Sequence, residues 1–397
     1  MVTLLKNRNF TLLWGGQAIS QLGNSVFYVA FIWIVVELTG SATAVGGLLI
    51  ASQVPALACQ LVSGVIVDRY DRRWIAFWTD LIRGILIAGL GFAILAGRLE
   101  LWQLYVLAVA LGVAGAFFGP AIRAFLPSLV PAEQLVAANG LWTAAREFME
   151  ILGPVAGGFL LAAVGAGGVS ILNALSFGAG ALGLWLVRLA SPPAATARQA
   201  IWHDFVEGLR YLRTYRAVMM LLGLVAVLNC VSAPIGILLP LFVRQVLGGG
   251  PESYGLLLSS MAVGLLIGSF LMGLWRIKRK GLFLLGVIIL LGLSFGGVAL
   301  TKTLPAALVV LGLAGLLNAM ANVVAEALLQ SIVAEGYRGR VFALATFMAG
   351  GLQPIAWGLV GVLADWLGVV TIMLASGLLA SFIGALGLLS RDLRQLS

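Results

Sequence analysis

Charged residues are scarce in this chain of 397 residues, where Asp, Glu, Lys and Arg together make up only 10%. Hydrophobic residues account for 61%, whereas soluble domains contain roughly 45–50% apolar residues. A soluble core cannot bury that much apolar surface, so the excess must face lipid. The composition therefore predicts an all-α protein that crosses a membrane many times, and it excludes collagen-like, coiled-coil and disordered chains.

Cysteine and histidine are also rare. The two cysteines, Cys59 and Cys230, lie in apolar stretches, and the one histidine, His203, has no clustered partner that could share a metal. Neither a Walker-type phosphate-binding loop nor an HExxH motif occurs. We therefore expect no cofactor, no metal and no enzymatic activity, which leaves an ion gradient as the energy source.

Charges, prolines and glycine clusters divide the apolar sequence into segments long enough to cross the hydrocarbon core, which takes about 20 residues. The twelve predicted transmembrane segments are 10–37, 44–67, 74–97, 101–122, 137–163, 167–189, 217–243, 254–275, 282–301, 305–332, 341–364 and 368–390.

Basic residues give the chain a net charge of +9, but they are spread over short loops, which argues against nucleic acid binding. Nineteen Lys and Arg residues fall in the termini and the even-numbered loops, and three fall in the loops on the opposite side. Short cytoplasmic loops retain positive charge. The count therefore predicts that both termini lie in the cytoplasm.

The segments form two halves separated by a linker. We expect an N-terminal six-helix bundle at 1–189, a cytoplasmic linker at 190–216 and a C-terminal six-helix bundle at 217–397. Apolar residues recur in the linker at helical spacing, which predicts an interfacial amphipathic helix. The residues concerned are Ile201, Phe205, Leu209 and Leu212.

The two halves also resemble each other in sequence. Gly47–Ser52 (GLLIAS) is similar to Gly255–Ser260 (GLLLSS), and Leu152–Gly158 (LGPVAGG) is similar to Leu352–Gly358 (LQPIAWG). Both matches run in the same direction and are offset by six segments. This indicates parallel duplicated halves.

The loop between the second and third segments reads GVIVDRYDRR from Gly64 to Arg73. It resembles the loop signature of the major facilitator superfamily, G-x-x-x-D-R/K-x-G-R/K-R/K, with Asp71 in place of the second glycine. The resemblance implies two pseudo-symmetric bundles that rock around a central cavity, and a latch that closes the cytoplasmic side. A basic loop facing lipid is the alternative. The latch residues would be Gly64, Asp68, Arg69, Arg72 and Arg73.

The fifth segment contains a second motif, which resembles the antiporter motif of the same superfamily, G-x-x-x-G-P-x-x-G-G. Met149 stands where the motif has its first glycine. Proline kinks a helix and glycines admit a close neighbour, so a purely structural kink is the alternative. The resemblance implies export. The matching residues are Gly153, Pro154, Gly157 and Gly158.

Further stretches narrow the resemblance to the drug:proton antiporter group that contains the bacterial macrolide exporters. They are Phe10–Ser20, Glu37–Ser41, Leu129–Leu135 and Gly339–Leu344. The resemblance implies a monomer in a bacterial inner membrane that exchanges protons for a small amphipathic substrate, in contact with membrane lipid. The alternative is a transporter of an endogenous lysophospholipid or of a siderophore.

Ionisable residues inside the segments are candidates for proton coupling, because each is costly in lipid and should face protein or water. Counting from the segment ends makes Glu150 the deepest carboxylate, with Glu147 left without an assigned partner, although an Arg146–Glu150 ion pair could be purely structural. Asp80 and Arg83, three residues apart, are interpreted as a structural pair. The coupling candidates are Glu150, Glu147, Arg146, Glu326 and Asp80.

Amide side chains form polar stripes on two segments at helical spacing, and a shorter one on the seventh. We expect them to line a substrate cavity, although hydrogen bonding between helices is the alternative. The cavity candidates are Gln17, Gln21, Asn24, Tyr28, Asn229, Asn318 and Asn322.

Overall fold

A computed structural model of the chain describes residues 2–187, 216–275, 277–333 and 337–394. The predicted linker helix lies outside these residues. In the described part the backbone is almost entirely helical, as lipid requires, because a helix satisfies its own N–H and C=O groups. The helices are α1 (Val2–Leu5), α2 (Arg8–Thr39), α3 (Ala42–Arg69), α4 (Arg72–Leu95), α5 (Leu101–Phe125), α6 (Leu135–Leu186), α7 (Arg216–Phe242), α8 (Pro251–Leu274), α9 (Lys280–Val298), α10 (Leu304–Ile332), α11 (Arg338–Leu367), α12 (Val369–Gly387) and α13 (Arg391–Arg394).

Each predicted segment coincides with one of these helices, except that the fifth and sixth share α6. Gly165 interrupts α6 with φ 68° and ψ 173°, a conformation that only glycine adopts readily. The break lies between the segments 137–163 and 167–189. Nine helical stretches among the described residues are long and apolar enough to cross a membrane, and the stretch containing α6 is 55 residues long, enough for two crossings.

Helix ends are fixed by local capping. The Asn7 side chain accepts hydrogen bonds from the N–H groups of Asn9 and Phe10 at the start of α2. Asp71 accepts a hydrogen bond from the N–H of Arg73 at 2.9 Å and so caps α4. Capping by Asp71 gives a physical reason for the acidic residue that replaces a glycine in the loop motif.

The chain folds into two compact units. The first contains the described parts of Met1–Gly40, Gly47–Ala197 and Gly249–Ser259. In it α2 packs closely along α6. A Cβ added to Gly16 would lie only 2.9 Å from the Ala179 carbonyl oxygen, which shows how near the two helices are at this point. Small residues at such crossings are how membrane helices gain packing without a hydrophobic driving force.

The second unit contains the described parts of Ser41–Gly46, Arg198–Gly248 and Ser260–Ser397. In it α9 packs along α12, where the Ser381 hydroxyl donates to the Ile289 carbonyl oxygen at 2.9 Å. The first turn of α3 belongs to this unit.

Candidate functional site

The most deeply buried carboxylate of the first unit is Asp80 in α4. Its side chain is 0% exposed. One carboxylate oxygen, Oδ2, accepts a hydrogen bond from Gln17 Nε2 of α2 at 2.8 Å. The other oxygen, Oδ1, lies 3.8 Å from an Arg83 nitrogen and has no hydrogen-bond partner in the described part of the chain. We call Gln17, Asp80 and Arg83 the buried acid cluster.

Aromatic rings surround the arginine of this cluster. The Arg83 guanidinium carbon lies 4.9 Å from the ring centroid of Phe118 and 5.7 Å from that of Phe177. Aromatic faces attract a cation, and the interaction strengthens where water is excluded. The cluster therefore holds a carboxylate and a guanidinium in apolar surroundings with one direct hydrogen bond on the carboxylate, so adding a proton to Asp80 has a large electrostatic effect there.

A glycine of α6 makes room for the hydrogen bond between Gln17 and Asp80. A Cβ at Gly180 would lie 2.8 Å from Asp80 Oδ2 and 3.1 Å from Gln17 Nε2. Contacts under about 3.0 Å force the neighbouring atoms to shift. Sequence reasoning missed Gly180, although it lies in a small-residue stretch (GAGALG, Gly178–Gly183) typical of close helix packing.

A cavity of about 260 Å³ adjoins the cluster within the same unit. We call it the aromatic cavity, because two indole rings and one phenyl ring lie on its wall. Side chains of α2, α5 and α6 that line it are Trp14, Gln17, Gln21, Phe118, Arg123, Trp142 and Arg146. Gln17 thus belongs both to the cavity wall and to the buried acid cluster. The structure brings together two predicted cavity residues, Gln17 and Gln21, and one predicted coupling residue, Arg146.

The charged patch on α6 is less buried than Asp80. The side chains of Glu147 and Glu150 are 40% and 50% exposed, whereas Asp80 is buried. Arg146 binds Glu147 at 2.7 Å, which assigns a partner to Glu147, and it lies 3.8 Å from Glu150. Depth along a helix, by which Glu150 is the deepest carboxylate, differs from burial, because burial depends on which face of the helix meets another helix.

The predicted loop latch contains two arginines that cap helix ends in the first unit. Arg73 Nε donates to the Leu184 carbonyl oxygen at 2.7 Å, and its guanidinium also donates to the Trp185 carbonyl. Arg72 donates to the Ala124 carbonyl oxygen at 3.2 Å and lies 4.0 Å from Asp68. These bonds satisfy carbonyl groups at the C-terminal ends of α6 and α5, which have no partner within their own helices. Gly64 and Arg69 lie in the last turns of α3.

The residues of the antiporter-like motif are buried contact points. A Cβ on Gly157 would lie 2.7 Å from the Val26 carbonyl oxygen of α2, and one on Gly158 would lie 2.5 Å from the Pro251 carbonyl oxygen of α8. Gly153 packs against Ser25 in the same way. These contacts favour the structural interpretation of the motif, in which the glycines seat α2 and the first turn of α8 against α6. Pro154 lies in α6 among them.

The polar stripe of α10 bonds along its own helix. Asn322 Nδ2 donates to Asn318 Oδ1 at 2.5 Å, and Gln330 Nε2 donates to Glu326 Oε1 at 3.2 Å. Asn322 and Glu326 are exposed on the surface of their unit. These bonds fit an exposed polar face better than hydrogen bonding between helices.

The stripe of α2 becomes more exposed along the helix. Gln17 is 7% exposed and Tyr28 is 42% exposed. Gln21 and Asn24 are half-buried between them, and Asn229 of α7 is also half-buried.

One carboxylate was missed by sequence reasoning because it falls just beyond a predicted segment. Asp365 near the end of α11 accepts hydrogen bonds from the Ser41 hydroxyl at 2.6 Å, from Ala42 N–H at 2.7 Å and from Thr43 N–H at 3.1 Å. Asp365 therefore caps the first turn of α3, although the residues of that turn lie more than 320 positions away in the sequence. The sequence shows an acidic residue at the end of a segment, but it does not show which helix that residue caps.

Comparisons with known proteins agree over nearly the whole chain. The sequence profile of a family described as "Transmembrane secretion effector" matches residues 2–396. Macrolide efflux protein A from Streptococcus pyogenes is 28% identical over 98% of this chain and 97% of its own length. The multidrug efflux pump Tap from Mycolicibacterium fortuitum is 27% identical over 94% of this chain and 93% of its own.

Solved structures also match. A bacterial homologue of the iron transporter ferroportin, in an inward-facing state, covers 96% of this chain and 98% of its own with a TM-score of 0.73 and 20% identity. A bacterial homologue of the human lysosomal transporter Spinster covers 98% and 97% with a TM-score of 0.72 and 16% identity. At these identities the matches show the fold alone.

Proposed function

Because this chain belongs to the transmembrane secretion effector family of major facilitator transporters, we propose that it exports small hydrophobic or amphipathic molecules in exchange for protons. Family membership and the matching structures confirm the coarser predictions. The chain is an all-α multi-pass membrane transporter with the major facilitator fold, related to macrolide and multidrug efflux pumps, and it is not an enzyme. Proton coupling, the substrate class and a bacterial inner membrane location are part of the proposal.

The observation that carries the proton coupling is the buried acid cluster. Among the residues that the structure describes, Asp80 is the carboxylate whose charge is most costly, because it is fully buried with one hydrogen bond at 2.8 Å and a guanidinium at 3.8 Å. A proton on Asp80 removes that charge and leaves Arg83 uncompensated. The two protonation states therefore differ strongly in local electrostatic energy, which is what a carrier needs if a proton is to bias its conformation.

Exchange follows if the cavity next to the cluster binds substrate when Asp80 is ionised and releases it when Asp80 is protonated. Alternating exposure of the site to the two sides of the membrane then links outward substrate movement to inward proton movement. The aromatic cavity supports an amphipathic substrate, because indole faces provide apolar contact while amides and guanidinium groups provide hydrogen bonds. Glu147 and Glu150 remain secondary candidates, since Arg146 already neutralises part of their charge.

Transport by the purified protein in proteoliposomes with an imposed pH gradient tests the proposal. We expect gradient-driven flux of a macrolide in wild type, loss of gradient dependence in Asp80→Asn, and near-normal coupling in Glu150→Gln. Glu150→Gln is the matched control because it also removes a carboxylate of the first unit, but one that is half exposed. Equal coupling in Asp80→Asn and wild type would refute the role of Asp80. Flux of lysophospholipid but not of macrolide would instead support the endogenous-lipid alternative.

A further inference from the structure

We propose that Gln17 is the positioning residue through which the aromatic cavity and Asp80 respond to each other, and that the cavity takes the part of an aromatic amphiphile that carries a hydroxyl or amino donor. This inference rests on the proposed function, because it assumes that Asp80 gains and loses a proton. It adds the residue that transmits the change and the chemistry of the group that is recognised.

The geometry places one amide in two sites. Gln17 is 7% exposed, its Nε2 donates to Asp80 Oδ2 at 2.8 Å, and the same side chain lines the aromatic cavity. Gln21, one turn further along α2, also lines the cavity, whereas the hydrogen bond to Asp80 comes from Gln17. Both glutamines therefore line the cavity, and the hydrogen bond to Asp80 distinguishes Gln17 from Gln21, which can serve as a control.

The chemistry of an amide makes Gln17 sensitive to the proton. An ionised carboxylate only accepts hydrogen bonds, so Gln17 must turn its NH₂ group toward Asp80, and its carbonyl oxygen is then the end available to the cavity. A protonated Asp80 donates an O–H, which favours rotation of the amide so that its carbonyl oxygen faces the acid and its NH₂ group faces the cavity. The terminal torsion of glutamine is broad and roughly two-fold, so this rotation is inexpensive.

Substrate selection follows from that rotation. With Asp80 ionised the cavity presents an acceptor and binds a hydrogen-bond donor. With Asp80 protonated it presents a donor and the same ligand loses its partner. Donor-bearing ligands and the proton therefore compete, which is the relationship that exchange requires. A hydrogen bond of this kind changes affinity roughly three- to tenfold.

The charged groups around Asp80 are compatible with this assignment. Arg83 faces it from its own helix at 3.8 Å. The neighbours on α2 and α6 at the carboxylate are Gln17 and Gly180, and neither titrates. On the cavity wall, Arg123 is exposed and Arg146 is paired with the two glutamates of α6.

Cavity size sets the part of the ligand that fits. Sites for whole drug-sized molecules measure roughly 300–1,000 Å³, and this cavity measures about 260 Å³. It therefore accommodates one ring system with its polar substituent. Trp14 and Trp142 lie on its wall, and indole rings provide large apolar contact area.

The test measures binding of two fluorescent probes to the full chain in lipid nanodiscs, with empty nanodiscs subtracting partition into lipid. N-phenyl-1-naphthylamine carries one N–H donor, and its N-methyl derivative carries none. We expect the affinity of wild type for the N–H probe to fall roughly three- to tenfold as pH is lowered through the titration of Asp80. The N-methyl probe should show no such change.

Two pairs of variants test whether the pH dependence comes from the hydrogen bond between Gln17 and Asp80 or from the cavity wall in general. Gln17→Ala should bind both probes alike at every pH, whereas Gln21→Ala should bind more weakly but keep the pH dependence. Gly180→Ala should reproduce the effect of Gln17→Ala, because its Cβ would push into the Gln17–Asp80 hydrogen bond without removing either group. Gly178→Ala, where an added Cβ meets nothing within 4 Å, should behave as wild type.

The outcomes distinguish this inference from the proposed function. If wild type and Gln17→Ala show the same pH dependence, Gln17 does not transmit the proton and this inference is overturned while coupling at Asp80 stands. If wild type itself shows no pH dependence for either probe, or Asp80→Asn retains it, then coupling at Asp80 fails and the inference fails with it. If Gln17→Ala does not fold, the pH dependence of probe binding in Gly180→Ala is compared with that in Gly178→Ala. Equal pH dependence in these two variants overturns the inference.

Discussion

Replacing Asp365 by alanine should loosen the first turn of α3, although Asp365 belongs to α11. The carboxylate accepts three hydrogen bonds, from the Ser41 hydroxyl at 2.6 Å and from the N–H groups of Ala42 and Thr43 at 2.7 and 3.1 Å. The N–H groups at a helix start have no partner within their own helix, so a side-chain acceptor there stabilises the helix end. An anion at this position also interacts favourably with the helix dipole.

The magnitude follows from capping energetics. Removing an N-cap acceptor costs about 0.5–2 kcal/mol, typically ~1 kcal/mol. Because the side chain of Asp365 is exposed, we take the middle of that range rather than adding three separate bonds. A loss of ~1 kcal/mol raises the population of the opened turn, and thus the exchange rate of its amide hydrogens, by roughly fivefold.

Hydrogen–deuterium exchange with mass spectrometry measures this directly on a peptide covering 41–46. Asp365→Ala should accelerate exchange there roughly fivefold, and Asp365→Asn, which keeps one acceptor oxygen, should do so less. Asp71→Ala is the matched control, since Asp71 caps α4 from the adjacent residue and should affect only the start of α4. Unchanged exchange at 41–46 in Asp365→Ala would show that the cap does not stabilise this turn.

Acid should have the same effect as the substitution. Burial alone would raise the pKa of Asp365, which lies one residue beyond the segment 341–364, but hydrogen bonds from Ser41, Thr43 and Ala42 outweigh burial and leave the pKa below its ordinary value. A lowered native pKa means that the stabilisation is complete above the ordinary Asp range and is lost as pH falls through the lowered pKa. Exchange corrected for its intrinsic pH dependence should therefore stay constant at neutral pH and rise only in acid, and Asp365→Ala should abolish this rise.

Two further predictions concern the first unit. Arg73→Ala should lower the free energy of unfolding by about 1–2 kcal/mol, because it removes the hydrogen bonds that cap the end of α6. Arg69→Ala should change it little. Equal melting temperatures for the two variants would contradict this prediction. Arg83→Met should reduce folded yield strongly, since removing one partner of a buried pair costs about 3–5 kcal/mol. The double variant Arg83→Met/Asp80→Asn should recover the yield. A double variant no more stable than the single variant would show that the pair is not coupled.

The helical architecture could be predicted from the sequence to within a few residues. Lipid leaves no alternative to helices, so each apolar run had to form one, and charges and glycines mark where the runs end. Even the break in the longest helix, at Gly165, fell between two predicted segments. That the two halves are duplicated stays a prediction from four short stretches of sequence.

The candidate site was only partly predictable. Sequence spacing paired Asp80 with Arg83 correctly, but counting residues from the segment ends does not report which carboxylate is buried by another helix. The hydrogen bond from Gln17 links two residues 63 positions apart, and no pattern along the chain reports such a contact. The cap at Asp365 escaped prediction for the same reason.

The amino-acid sequence alone determined that the chain is a helical membrane protein, where the helices of the described residues lie and which polar groups lie within them, because transfer into lipid acts on each residue separately. The tertiary structure alone decided which of those polar groups lost contact with solvent. That outcome depends on which helix faces meet. Gly180 lets Gln17 and Asp80 approach between α2, α4 and α6, while Glu147 and Glu150 lie on a face of α6 that stays half exposed.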